Sequence, residues 1–266
     1  LSIKELLHAH AEQKLSAIMT REPVTVHPQA TLERAALAAI QHGIKAVPVV
    51  DRQGQFLGVV GTDTILHTLH CEHVEDLLKM GGIQVLEQKH ILEMLTDRVA
   101  HLIRIRFSWL FIGLVGGFLA TLVVRSFEQT LAEQVALAFF MPAIVYMASA
   151  VGSQTQTLFI RAMAIKKIGV ARYIGREIVV DGVLGILLAF AMYVFAYVSS
   201  QQFEIALIVS VAMLLTILVA GLVAVAIPVL LIRFKRDPAI GAGPLGTVIQ
   251  DILSLVVYFA VASVLL

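Results

Sequence analysis

Asp251 and Asp181 both lie inside long apolar stretches, where a carboxylate is costly. Asp251 sits about two turns into Leu245–Leu266, after Pro244, and Asp181 sits just past Arg176 within Ile178–Phe203. An ionised side chain at the centre of a bilayer costs a few kcal/mol, so such groups ordinarily face a wet or protein-lined interior and mark an ion path. A neutral polar patch, Gly152-Ser153-Gln154-Thr155-Gln156-Thr157, interrupts the apolar run Val135–Ile160, which also contains Pro142. Together these residues are expected to loosen a helix and free backbone carbonyls. Such backbone is tolerated at membrane depth only where it is buried in protein or lines a watery cavity. Carboxylate on one span and neutral oxygens on another suit a hard cation that keeps its waters, as Mg²⁺ does. Each group also has a plainer reading. Asp251 can hydrogen-bond a neighbouring helix, Asp181 can pair with Arg176 or reach the interface, and Glu177 can be solvated or bind the adjacent basic loop. The Gln and Thr side chains can join helices to one another.

Only a membrane domain positions such groups. The 266 residues are 58% apolar and 15% charged, against about 25% charged in an average soluble protein. Five stretches are long enough to cross about 30 Å of hydrocarbon: Phe107–Val124, Val135–Ile160, Ile178–Phe203, Ile205–Ile232 and Leu245–Leu266. Lysine and arginine gather on alternate connections: Arg98, Arg104 and Arg106 before the first span, Arg161, Lys166, Lys167, Arg172 and Arg176 between the second and third, Arg233, Lys235 and Arg236 between the fourth and fifth. The remaining connections hold Arg125 alone. Basic loops stay in the cytoplasm, so the expected topology is a multi-pass protein of the cell (inner) membrane, with the N-terminal region cytoplasmic and the C-terminus outside. The first 20 residues lack the basic-then-apolar order of a signal peptide, in keeping with a cytoplasmic start. The net charge is +1, which gives no general field for nucleic acid. The single cysteine, Cys71, excludes an internal disulfide framework.

The polar N-terminal region changes period. Val24-Thr25-Val26 reads as a strand, Leu32–His42 as a helix between an N-cap at Thr31 and a stop at Gly43, Ala46–Val50 and Phe56–Val60 as strands around the turn Asp51-Arg52-Gln53-Gly54, and Asp63 onward as helix. Met19-Thr20, the Val-Pro-Val-Val-Asp run and Gln55-Phe56-Leu57-Gly58-Val59-Val60 carry a resemblance to a CBS domain. That pattern occurs once here, and CBS domains pair, so the resemblance implies a second copy, most simply in a homodimer. Gly61 and Thr64 stand where nucleotide-binding CBS domains have Ser/Thr and Asp, so a nucleotide is not expected. The expected fold class is an α-helical membrane protein, five transmembrane helices behind an N-terminal α/β CBS domain. Residues 1–71 form the cytoplasmic region, 72–106 a long connecting helix, and 107–266 the membrane domain.

In that order the chain resembles the MgtE-type magnesium channel family. The likeness is carried by Val74-Glu75-Asp76-Leu77-Leu78-Lys79-Met80-Gly81, Ala136–Pro142, Thr157–Ala164, Arg176-Glu177, Asp237-Pro238-Ala239, Pro244-Leu245 and Asp251. The resemblance implies that Asp251 lines a pore between two protomers and holds hydrated Mg²⁺. It also implies that Gly152, Gln154 and the backbone at Ala150 belong to the pore motif. The family has Gly-Gly-Asn-x-Gly-x-Gln where this chain has Ala148-Ser149-Ala150-Val151-Gly152-Ser153-Gln154, so Ala150 replaces the asparagine. Asp63, Glu72, Glu75, Asp76, Glu177 and Asp181 are the further candidate ion or gating acids, with Mg²⁺ both cargo and regulator. Thr64, His67 and His70 stand where the family is acid-rich, and histidine is a poor substitute ligand for a hard cation.

Three activities compete with a homodimeric divalent-cation channel. A secondary transporter would use Asp251 or Asp181 as its proton- or Na⁺-coupling carboxylate. A non-conducting regulatory homologue would tolerate the lost asparagine. An intramembrane metalloprotease needs His-Glu-x-x-His on a span, and no histidine follows His101.

Overall fold

The computed structural model describes residues 3–10, 12–83, 98–165 and 169–266. The chain divides into two compact units, Leu1–Val74 and Glu75–Leu266.

The first unit holds two short helices, α1 (Ile3–His8) and α2 (Leu15–Ile18), then α3 (Leu32–His42), β1 (Val47–Val50), β2 (Phe56–Val60) and the start of α4 (Thr62–Met80). Thr31 caps α3 by accepting from the Arg34 amide at 3.2 Å. Gly43 ends the helix in the left-handed conformation at φ +62°, which glycine adopts without a Cβ penalty. Strands β1 and β2 pair antiparallel across a turn in which Asp51 Oδ1 accepts from the amides of Gln53 and Gln55. Ala36, Ala39, Val47 and Ile65 form its core. The strand expected at Val24–Val26 is reduced to one parallel bridge, Val26 to Val49. Pro23 and Pro28 bracket it, and prolines cannot extend a ladder.

The second unit contains the tail of α4, then α5 (Val99–Ser126), α6 (Glu128–Glu133), a 3₁₀ turn (Val135–Phe139), α7 (Met141–Ile165), α8 (Val170–Ser200), α9 (Phe203–Arg233), a second 3₁₀ turn (Pro238–Ala242) and α10 (Pro244–Leu265). Among the described residues, five segments are long and apolar enough to cross a membrane: Val99–Ser126, Ala136–Met163, Val170–Ser200, Phe203–Arg233 and Pro244–Leu265. Helix α9 is the central one. It packs on α7, α8 and α10, while α5 lies against α10. Lipid is as apolar as leucine, so these helices associate through close packing of small residues. Ala206, Ala212, Ala220 and Ala224 of α9 are accordingly almost completely buried. Gly116 of α5 is pressed on Val248, and Gly185 of α8 meets Leu214 of α9. Aromatic contacts close the end of the bundle, where Phe127 stacks on Phe259 at 5.0 Å and Tyr258 donates to the Leu137 carbonyl at 2.7 Å.

Two expectations are corrected. Residues 72–106 do not form one connecting helix: α4 ends at Met80, Gly82 turns the chain at φ +71°, and a separate helix begins at Val99. Residues 84–97 lie outside the described residues. The second span is also not loosened. Pro142 occupies the first turn of α7, where its missing N–H breaks no helical bond, and α7 continues unbroken through the polar patch to Ile165.

Candidate ion-permeation site

Because α7 is continuous, the carbonyls at Ala150 and Gly152 take part in its own hydrogen-bond ladder. The expected release of backbone oxygens therefore does not occur, and side chains carry the polar chemistry of this span.

Helix periodicity divides the patch between two faces. Val151, Gly152, Thr155, Gln156 and Phe159 are buried, whereas Ser153, Gln154 and Thr157 are exposed and Ser149 and Ala150 partly so. On the exposed side Ser153, Gln154, Thr157 and Leu158 line an open recess of about 470 Å³. Asp251 of α10, partly exposed, accepts a hydrogen bond from Ser149 Oγ at 2.5 Å. The structure thus joins Asp251 to the α7 segment that holds Ala150 and Gln154, through a serine that sequence reasoning had passed over.

Gly152 is buried for a different purpose. A Cβ there would overlap the Gln250 amide, so the glycine is what lets α10 lie close to α7 beside Asp251. Gln250 is 2% exposed, and its Nε2 has no hydrogen-bond partner among the described residues. One turn along α7, buried Gln156 donates from Nε2 to the Gly241 carbonyl at 3.0 Å and braces the 3₁₀ turn before α10. Gly246 lies against that same carbonyl and leaves no room for a side chain. Gln156 and Gln250 were legible only as polar residues in apolar spans, and their partners are far away in sequence.

The other acids separate into distinct settings. Asp181 is 2% exposed and laid on Gly221 of α9, away from solvent. Glu177, one turn earlier, accepts from Thr155 Oγ1 of α7 at 2.9 Å. Asp63 and Glu72 belong to the first unit, while Glu75 and Asp76 belong to the second. There Lys79 Nζ donates to Glu75 at 2.6 Å and to Asp237 at 2.5 Å. Burial opposes the Lys79 charge, but these two bonds outweigh it and hold its pKa above the ordinary lysine value. Burial and then the Asp237 charge push Asp76 above the usual carboxylate range, against the pull of Lys79 and Arg161. Lys79 therefore already engages two of these acids, Glu75 and Asp237. Among the described residues no three His, Cys, Asp or Glu side chains converge on a point where they could hold a metal ion.

Residues 141–261 match the MgtE family, described as a divalent cation transporter, and residues 15–71 match the CBS domain family. Three curated relatives carry the name magnesium transporter MgtE. The protein from Thermus thermophilus is 29% identical over 269 residues, covering 100% of this chain and 59% of its own length. The Bacillus subtilis protein is 27% identical over 267 residues, covering 99% of this chain and 58% of its own length. The Enterococcus faecalis protein is 25% identical over 266 residues, covering 99% and 57%. This chain spans less than two thirds of the length of each. Both matched regions coincide with a structural element group described above, the small sheet unit and the helices that bring Ser149 to Asp251. The helical region thus matches the MgtE family of divalent cation transporters, and the small sheet unit before it matches the CBS domain family.

Proposed function

We propose that this chain moves a divalent cation, Mg²⁺ foremost, across the cell membrane along a path shared by two protomers, with Asp251 as the cargo's charged ligand. The observation that carries this reading is the Ser149–Asp251 pair, a carboxylate fixed at 2.5 Å on a polar helix face that one protomer leaves partly open. Mg²⁺ dehydrates reluctantly and is held through its waters by one or two carboxylates. One Asp251 from each protomer, with Ser153, Gln154 and Thr157 nearby, supplies that kind of environment. The names of the relatives point to the same cargo. The single CBS domain favours a homodimer, and the alternation of basic loops favours a cytoplasmic N-terminal unit and an external C-terminus.

Flux into proteoliposomes, with Mg²⁺, Mn²⁺, Co²⁺ and Ca²⁺ compared, tests the reading. Saturable Mg²⁺ entry that Asp251→Asn abolishes supports it. No flux of any of these ions from correctly folded dimer overturns it in favour of a regulatory homologue.

A further inference from the structure

Asp181 is a buried acid that the proposed pathway does not use. It lies about 16 Å along the axis of α8 from Val170, well inside the apolar part of the helix. It is 2% exposed, and its Oδ1 has no hydrogen-bond partner among the described residues. A Cβ on Gly221 of α9 would overlap its other oxygen, so the absent side chain at Gly221 is what accommodates the carboxyl. Ile174, Glu177, Ile178, Leu222 and Val225 line the surrounding space. The titratable and charged groups on this side of α8 are Glu177, which accepts from Thr155 of α7, Tyr173, whose hydroxyl approaches Glu177, and Arg176, whose charge acts on Tyr173. The α9 residues lining the space, Gly221, Leu222 and Val225, do not titrate.

An ionised carboxylate in this position is a buried charge with neither a cation nor a sufficient set of donors, an arrangement that proteins avoid. The geometry decides among the ligands that would relieve it. A hydrated divalent cation is too large, because the space admits no water-sized sphere, about 0 Å³. A bare metal ion needs several oxygen ligands, and apart from the Ala224 carbonyl, which Pro228 leaves without its ladder partner, the carbonyls of α8 and α9 here are committed to their own ladders. A proton needs no space. Bound to Asp181 it removes the charge and makes one oxygen a donor, for which helix carbonyls retain a second lone pair.

We propose that Asp181 is a proton-binding site within each protomer, separate from the Asp251 path, whose occupancy holds α8 against α9 at Gly221. The step is a simple association: the carboxylate takes one proton from water and returns it to water, and no other bond changes. The neutral acid packs on Gly221, whereas losing the proton leaves a charge in an apolar contact and loosens it. Stability contributed this way is present at low pH and lost as pH rises.

Infrared difference spectra of the detergent-solubilised full chain after a pH jump test the proposal without any transport measurement. The expected result is a carbonyl band of a protonated carboxylic acid that shifts in D₂O. It should persist in Asp251→Asn and Glu177→Gln and be lost in Asp181→Asn. Wild-type and Asp181→Asn spectra that are identical overturn the proposal. A second readout needs no change at Asp181: ¹³C-labelling of aspartate in the Asp251→Asn background should move the same band, and an unmoved band also overturns it. Absence of divalent flux would sink the transport reading and leave this site standing.

Discussion

The Ser149 hydroxyl on α7 donates a 2.5 Å hydrogen bond to Asp251 Oδ1 on α10. A carboxylate has about four acceptor positions, so one bond from Ser149 orients Asp251 and leaves capacity for the waters of a cation. Asp251→Asn keeps the shape and removes the charge. It is expected to reduce divalent flux by at least about tenfold with little change in melting temperature. Ser149→Ala removes only the orienting bond, worth about 1 kcal/mol, so flux should fall about fivefold with the ion preference unchanged. Equal flux in wild type and Asp251→Asn would remove Asp251 from the path.

Gly152 and Gln250 form a size-matched pair. Gly152→Ala places a Cβ onto the buried Gln250 amide, and overpacking of this kind costs about 1–3 kcal/mol. Gln250→Ala in the same chain makes room again, so the double variant should be more stable than the sum of the single losses. Thermal melts of the four proteins read this coupling, and strict additivity would show that the two residues do not press on each other.

Ala150→Asn is expected to sharpen the preference for Mg²⁺ over Mn²⁺ and Ca²⁺. Position 150 is partly exposed, one residue after Ser149, and its own carbonyl is engaged in the helix. A new side-chain amide there adds one oxygen per protomer that can read the ion's hydration shell. Identical competition among the three ions in wild type and variant would place position 150 away from the cargo.

Around Lys79 two raised pKa values both lower stability as pH rises, in different pH windows, but at neutral pH Asp76 destabilises while Lys79 stabilises. Asp76 has a raised pKa, chiefly from burial, so its ionisation opposes folding from its ordinary value of 3.8 upward. Asp76→Asn should therefore raise the melting temperature at neutral pH, with the gain vanishing as pH falls below 3.8. Lys79 has a raised pKa too, and for a cation that stabilises: its contribution is fully present below 10.5 and lost only above the folded value. Lys79→Met should cost about 1 kcal/mol across the neutral range. Melting curves from acid to alkaline pH check both signs, and a pH-independent Asp76→Asn difference would contradict the first.

Much of this was legible one helix at a time. The five spans follow from apolar length and the α3 boundaries from Thr31 and Gly43, while the cost of a carboxylate in lipid singles out Asp251 as a candidate. What stayed hidden depends on a second helix. Ser149 reads as an ordinary small polar residue until α10 brings Asp251 beside it, and Gly152 reads as a helix breaker until Gln250 is seen to fill its place. Pro142 misled because its effect depends on its place in the helix: two residues earlier or later in a turn, the same ring is harmless or disruptive. The strand expected at Val24–Val26 failed for a similar reason, since propensity alone does not supply a partner edge.

The unbroken course of α7 has a consequence for how such proteins diversify. A conduit lined by main-chain oxygens changes only if a whole turn is rebuilt, whereas one lined by side chains is rewritten one codon at a time. Ala148, Ser149 and Ala150 lie on a helix that runs intact from Met141 to Ile165. Gly152 has no such latitude, held as it is beneath Gln250. In the proposed path, cargo preference would accordingly change residue by residue while the helix keeps its shape.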